Sequence, residues 1–453
     1  MTKTNKIKEE KLKAEACKIS IKEGSAYSIM EGFGLRYITP YALAMGANNA
    51  NIGILNSVPS LIGSFSELYG VKLMKKFSRK TIVFWGVLVQ AIMWLAILGI
   101  GALFFIFNID HSTAPIALIV AYTLMIAAGA LPGPAWMSWM KDIVPKKFNT
   151  YFGIRNRVVG FVILVSMLIA GYLLDFFKNN ISLFAGFAVL FVAAFLGRSM
   201  SAYLFTKKYE PEYSRKNHYH DGLLHFIKNL TKNNFGRFSL YFSLLASVVA
   251  IASPFFAVYM LNNLQFTYFE FTLVVISPLI VRLLMFPAWG RFADDYGNMK
   301  VIKIASYLIP LIPLLWLLSV FVHGDYILFY LIAVEAFSGL VWSGFDLSAG
   351  NFIFDSVKTE RVPMVVADFT ILSNIGIVAG ALLGGFISSQ TFTIIGMSSI
   401  LFVFLLSFVF RFLVAAVMLP KIKEVRSVKR FNIYSFERVL LHITPGKIAK
   451  ILR

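Results

Sequence analysis

Apolar positions in this chain come in long, nearly unbroken runs, and the polar positions gather between them. A helix crossing the hydrocarbon of a bilayer needs about 20 mainly apolar residues. Twelve stretches meet that measure: 22–46, 51–74, 80–107, 114–140, 153–176, 181–206, 238–262, 269–292, 300–322, 326–354, 364–389 and 393–418. Backbone polar groups in hydrocarbon must be satisfied within their own segment, so each run is predicted as a spanning α-helix. The expected fold class is all-α integral membrane, with twelve transmembrane helices in two pseudo-symmetric six-helix bundles. The expected divisions are an N-terminal tail (1–21), a first bundle (22–206), a linker (207–236), a second bundle (237–419) and a basic amphipathic tail (420–453). Leu223, Leu224, Ile227 and Leu230 recur at helical spacing and predict a short interfacial helix in the linker. Thr444 before Pro445 reads as an N-cap and first helical residue in the tail.

Composition agrees with the pattern. Of 453 residues, 58% are hydrophobic and 15% charged, where a soluble domain carries about a quarter charged. The net charge of +20 raises the question of nucleic acid, but the charge sits in alternate loops. Lys72, Lys75, Lys76, Arg79 and Lys80 fall between the second and third runs, and Lys141, Lys146, Lys147, Arg155 and Arg157 between the fourth and fifth. The linker and the tail are also basic. The intervening loops, such as 47–51, 262–265 and 388–390, carry no lysine or arginine. Basic loops stay inside, so both termini are expected in the cytoplasm, which an even helix count satisfies. The polar N-terminus lacks the pattern of a cleavable signal. The basic tail is expected to lie on anionic lipid, and nucleic acid is not an expected partner. A single cysteine, Cys17, excludes an internal disulfide and a cysteine zinc site. His218 and His220 read as solvated linker residues. No cofactor, metal or catalytic cluster is expected.

The stretch Gly290–Lys300 lies between two hydrocarbon-length runs and reads as a tight, charged aqueous turn. At an offset of 220 residues it overlies Gly70–Lys80, with Met74 where Asp294 stands and Phe77 where Gly297 stands. Asp142 and Asp355 follow the fourth and tenth runs, and Trp136 and Trp342 fall at similar depths in them. Such a weak repeat suits two related six-helix halves. The pattern Gly290-x-x-x-Asp294-x-x-Gly297-Asn298-x-Lys300, with Asp142-x-x-Pro145 and the basic segment through Arg155 and Arg157, resembles the loop motifs of the major facilitator superfamily, in a prokaryotic branch of it. Segments 29–34, 40–47 and 134–139 add to the likeness. The resemblance implies alternating access and a cytoplasmic gate. That gate would be built on Gly290, Gly297 and Asp294, with Arg291, Arg155 and Arg157 as partners. The first-half loop departs from the pattern at Met74; Glu67, about two turns earlier, is the nearest acid.

Ionisable groups inside a span cost about 2.5–3.5 kcal/mol or more and face a cavity or a partner. Those deepest in the runs are Glu31 and Arg36, Arg282, Glu335 and, lower, Asp346, with Asp368 and Asn374 in the eleventh run. On a continuous helix Glu31 and Arg36 would stand about 140° apart. The resemblance implies that helices 1, 2, 4, 5, 7, 8, 10 and 11 line the cavity, which makes Glu31, Arg36, Arg282 and Glu335 cavity candidates. Asn374, Trp136 and Trp342 join them. An acid in a dry cavity can exchange a proton, and a substrate carboxylate or phosphate can compete with it for an arginine. The rival reading is that Glu31–Arg36 or Glu335–Arg282 are structural ion pairs. Arg198 and Arg411 are expected to snorkel to the interface. Pro132, Pro134, Pro278, Pro287, Pro310 and Pro313 are expected to kink helices, and Gly171, Gly380, Gly384 and Gly385 to allow close contact. The expected function is a monomeric, proton-coupled secondary transporter in the plasma membrane, not an enzyme. It would move a small solute, with a slight lean to organic anions from Arg36 and Arg282. The alternatives are a drug or lipid exporter of the same fold, which the 44 Phe favour, and a non-transporting sensor or assembly protein.

Overall fold

The computed structural model describes residues 3–107, 110, 112–144, 148–212, 223–357, 362–390, 393–394 and 397–428. Thr444, Pro445, His218, His220 and Pro145 lie outside these. Apart from a two-residue antiparallel pair, Thr393–Ile394 with Met397–Ser398, the regular structure is helical. Among the described residues, ten helical segments are long and apolar enough to cross a membrane. The other two predicted spans are helical but are not among the ten. The first is split: α1 (Lys3–Phe33) gives way to one 3-10 turn (Leu35–Tyr37) and then α2 (Ile38–Ala44). The second, α3 (Asn49–Leu73), carries three asparagines and four serines.

Contacts divide the chain into two units. Unit 1 contains α1 to α3, α4 (Arg79–Phe105), α5 (Thr113–Ala130), α6 (Gly133–Ile143), α7 (Phe148–Asn180) and α8 (Leu183–Lys207). It also takes in two pieces of the second half, 253–272 and 381–390. The first of these includes α11 (Phe255–Val258) and a π-helical turn, Tyr259–Asn263. Unit 2 contains α9 (Leu223–Lys228), α10 (Asn234–Ala250), most of α12 (Tyr268–Tyr296), α13 (Asn298–Leu308), α14 (Leu311–Leu318), α15 (Tyr326–Ser356), most of α16 (Val362–Ser388) and α17 (Ser399–Met418). α9 lies in the stretch of the linker where a short helix was expected, and it ends before Leu230.

Helix starts are written locally. Asn48, Ser78, Ser182 and Asn233 each accept a backbone N–H three residues on, capping α3, α4, α8 and α10. Prolines act unequally. The fourth run breaks before Pro132 and the ninth before Pro310, each of which caps the helix that follows, whereas α12 continues through Pro278 and Pro287. Each unit has its own aromatic-rich core. In unit 1, Trp139, Met140 and Phe205 bury against Ile82 and Val83. In unit 2, Phe238 lies 4.6 Å from Phe352, and Phe242 lies 4.7 Å from Phe369, centroid to centroid.

The expected loop at 290–300 is not a loop. Residues 290–296 are the last turns of α12, and α13 starts at Asn298, so the connection is the single residue Gly297 at φ +91°. A positive φ suits glycine, which has no Cβ to clash with the following carbonyl. The charges that made the stretch look like a turn are the polar end of a helix.

Candidate functional site

In unit 1 the helix break at Gly34 decides the first site. Had α1 continued, Arg36 would have pointed away from Glu31. The 3-10 turn swings it back, and its Nη2 donates to Glu31 Oε1 at 2.6 Å. Trp94 fills the space beside Gly34 where a Cβ would go, so the break is tightly packed. Tyr27 and Tyr122 lie close enough to this pair to interact with it electrostatically. The pair is not sealed: the Arg36 side chain is 37% exposed and that of Glu31 18%. Arg36 Nε is nevertheless buried, and no acceptor for it exists among the described residues.

In unit 2 Arg282 does not meet Glu335. Its Nη2 donates to Asp346 Oδ2, in the second half of α15, and both side chains are about a third exposed. Glu335 instead accepts the indole N–H of Trp316 at 2.8 Å, which turns it toward α14. Asn374 is half-buried on α16 beside Ser373, whose hydroxyl lies 3.3 Å from that of Ser243. Trp342 rests edge-on against Phe345 at the border of the unit 2 core. Asp346 was visible as an intramembrane acid. Its pairing depended on which acid shares a face with Arg282, and that requires the packing of two helices.

Arg198 and Arg411 do not snorkel; both are buried. Arg198 donates from Nε to Gln90 Oε1 at 2.7 Å and stacks over the Tyr27 ring, 5.0 Å from its centroid. Arg411 donates to Ile309 O and Val249 O, both at 3.3 Å, and to Ser407 Oγ at 3.0 Å. Pro313 lacks the N–H that Ile309 O would have received in an unbroken helix, and α10 has ended before the partner of Val249 O is reached. Each carbonyl takes a backbone N–H three residues on instead, from Ile312 at 3.3 Å and from Ala252 at 3.2 Å, and Arg411 adds a second donor to both.

At the gate residues each unit repeats one construction. Asp142, at the end of α6, bonds Arg79 Nη1 at 2.5 Å, and Glu210, after α8, accepts the backbone N–H of Arg79 at 3.0 Å. Asp355, at the end of α15, bonds Asn298 Nδ2 at 2.8 Å, and Glu424, after α17, accepts the N–H of Met299 at 2.8 Å. Arg79 and Asn298 are the first residues of α4 and α13. In both, a carboxylate meets the N-terminal, partially positive end of a helix. Asp294 takes no part: it is exposed and has no hydrogen bond or ion pair among the described residues. Arg291 bonds the carbonyl of Pro287 on its own helix, Gly290 is half-buried, and Arg157 is exposed. Arg155 is held by Glu23 at 3.2 Å and stacks over Trp136, which also donates to Glu23. Beside them Lys208 is wholly buried, its Nζ 3.0 Å from Met140 Sδ and 4.9 Å from the Trp139 ring. Burial pushes its pKa down to about 8, against the pull of Glu23 upward.

At the opposite ends of its helices unit 1 is tied by three contacts. Asp175 accepts the N–H groups of Tyr268 and Phe269 at 2.9 and 2.8 Å. Tyr37 OH lies 2.6 Å from Thr272 Oγ1. Asn49 donates to Ser388 O at 2.7 Å. Gly171 lies where a Cβ would strike Thr272.

The sequence profile of the Major Facilitator Superfamily matches residues 25–251 and 238–441, nearly the whole chain. The chain belongs to the major facilitator superfamily. No curated protein matches it. Among solved structures it is similar to the nucleoside transporter NupG (15% identity, TM-score 0.67), covering 91% of this chain and 100% of that one. It is also similar to a bacterial homologue of the iron transporter ferroportin (11%, TM-score 0.63), covering 90% and 98%. A bacterial homologue of the human lysosomal transporter Spinster (15%, TM-score 0.58) covers 91% and 99%. At these identities the likeness carries the fold. This superfamily member is thus a multi-pass membrane protein of transporter architecture.

Proposed function

We propose that the chain is a secondary transporter carrying a small organic anion across the cell membrane by alternating access, coupled to protons. It works as a monomer with twelve spans and both termini in the cytoplasm. The observation that carries this reading is the half-open arginine–carboxylate pair in each unit, Arg36–Glu31 and Arg282–Asp346. Each offers a cation that an anionic solute can take over and an acid that can then accept a proton. Arg36 is already one acceptor short, and a buried donor without a partner costs about 1–3 kcal/mol. A carboxylate or phosphate oxygen would relieve that cost. Trp136, beside Glu23 and Arg155, and Trp342, at the border of the unit 2 core, serve as apolar walls.

The test is uptake by the purified protein in proteoliposomes, with labelled carboxylates, phosphate esters and nucleosides under an imposed pH gradient. Anion flux should follow the gradient. Arg282→Gln and Arg36→Gln should each lower it at least tenfold, while Asp346→Asn and Glu31→Gln should leave flux that no longer responds to pH. Flux of apolar or cationic solutes that Arg282→Gln leaves intact would favour the exporter reading. No flux of any class would favour the non-transporting one.

A further inference from the structure

We propose that the start of α13 binds a hydrated Mg²⁺ through Asn298 Oδ1 and the carboxylates of Asp355 and Glu424, in the place that the Arg79 guanidinium fills in unit 1. In unit 1 one cation serves two acids: Arg79 Nη1 lies 2.5 Å from Asp142 Oδ2, and Nε lies 3.4 Å from Glu210 Oε1. Arg79 is the first residue of α4, and its side chain is wholly buried. Unit 2 has both acids but not the cation. Asn298, the first residue of α13, reaches Asp355 Oδ2 through Nδ2 at 2.8 Å and carries no charge. Glu424 accepts backbone N–H groups alone, from Met299, Val425 and Arg426. Among the described residues no lysine or arginine side chain pairs with either acid. Lys423 and Arg426, beside Glu424 in the chain, are exposed.

Asn298 itself points to a ligand. It is 0% exposed, and its Oδ1 is buried with no hydrogen-bond donor among the described residues. The amide cannot turn over to relieve this, since only its NH₂ can face the Asp355 carboxylate. Oδ1 and Nδ2 belong to one planar group, so the orphaned oxygen stands beside that carboxylate. The Ser356 hydroxyl, on the next residue, is also buried with no partner among the described residues. Two carboxylates exclude an anion here, and a neutral donor would leave their charge uncompensated. Hard cations take carboxylate and amide oxygens. Two carboxylates and one amide are too few to enclose Ca²⁺, which takes about six to eight oxygens, whereas Mg²⁺ keeps several waters and needs only one or two carboxylates. Asp355 is exposed and Glu424 half-buried, which leaves room for those waters. Gly297 lets Glu424 come close, since a Cβ there would strike its carboxylate. The ion holds the start of α13 to the end of α15 and the stretch after α17, as Arg79 holds α4 to the end of α6 and the stretch after α8.

The experiment is a Mn²⁺ titration of the full-length protein, purified in detergent and stripped with EDTA, read by electron paramagnetic resonance with Mg²⁺ as competitor. One Mn²⁺ per chain should bind at or below about 1 mM, and Mg²⁺ should displace it. Asp355→Asn and Glu424→Gln, which keep the side-chain shapes and remove one charge each, should weaken binding at least tenfold. So should Asn298→Arg, which restores the construction of unit 1. Asp294→Asn, an exposed acid near the end of α12, should leave binding unchanged. No bound Mn²⁺, or unchanged binding in Asp355→Asn, Glu424→Gln or Asn298→Arg, overturns the proposal. So does displacement by Na⁺ as readily as by Mg²⁺, or an equal loss in Asp294→Asn, either of which would mean a diffuse surface charge effect. If Asn298→Arg does not purify as a single species, the two carboxylate variants decide.

Discussion

Lys208 shows how one residue sets a pH dependence. Its side chain is wholly buried among Trp139, Phe205 and Met140, and its pKa falls from the usual 10.5 to about 8. Below pH 8 it is charged in both folded and unfolded chains, and the fold bears the full cost of burying that charge. Between about 8 and 10.5 the unfolded chain binds the extra proton, so stability rises with pH across that window. Lys208→Met should remove that rise and stabilise the protein at pH 7 by up to about 3 kcal/mol, read as thermal midpoint against pH. A midpoint that still climbs between pH 8 and 10.5 in the variant would assign the effect to another group. Cys17, close by, has its thiol pushed up by burial, with Lys208 pulling the other way, and should react slowly with maleimides at pH 7. As the chain's one cysteine it also reports topology: an impermeant maleimide should label it only from the cytoplasmic side. At this scale the sequence showed the intramembrane charges and offered two pairings, Glu31–Arg36 and Glu335–Arg282. The first forms although the two stand about 140° apart on a continuous helix, because the turn after Gly34 joins them. Glu335 and Arg282 looked compatible, and Asp346 intervenes.

Elements were more legible, because a run of apolar residues has few alternatives in a bilayer. The breaks at Pro132 and Pro310 follow from missing N–H groups, but proline alone does not decide: α12 keeps its course through Pro278 and Pro287. The turn at 297 could not be read, since Arg291, Asp294 and Asp295 have loop composition and are helical. Its stabilising partner, Glu424, is 125 residues from the Met299 amide it accepts. Gly297→Ala should cost about 1–3 kcal/mol, because its φ is +91° and a Cβ would strike the Glu424 carboxylate. Glu424→Ala removes a helix cap and should cost about 1 kcal/mol. Glu210→Ala should cost more, about 3 kcal/mol, because it also strips a partner from Arg79, whose side chain is 0% exposed. Asp294→Asn should leave thermal stability unchanged within about 0.5 kcal/mol.

For the whole molecule, the three ties in unit 1 around Asp175, Tyr37 and Asn49 are the contacts that alternating access would have to release. Asp175→Asn keeps the shape of the helix cap and removes its charge. It should raise the labelling rate of a cysteine placed at Thr272 in a Cys17→Ser background several-fold, and an unchanged rate would exclude these ties as a gate. The linker and the alternating basic loops pointed to a division of the chain near residues 207–236, and one boundary between the two units falls there. The allotment of 253–272 and 381–390 to unit 1 was not legible, because it depends on contacts across hundreds of residues. The donors that Arg411 brings to Ile309 O and Val249 O have one more consequence, in biogenesis. Both carbonyls emerge from the ribosome a hundred residues or more before the guanidinium that bonds them. An arginine entering lipid alone would be costly, so α17 should leave the translocon only when α10 and α13 stand ready to receive it. A chain ending before Ser399 should insert its earlier spans, remain unfinished in its second half, and be degraded faster than the full-length protein in a pulse-chase.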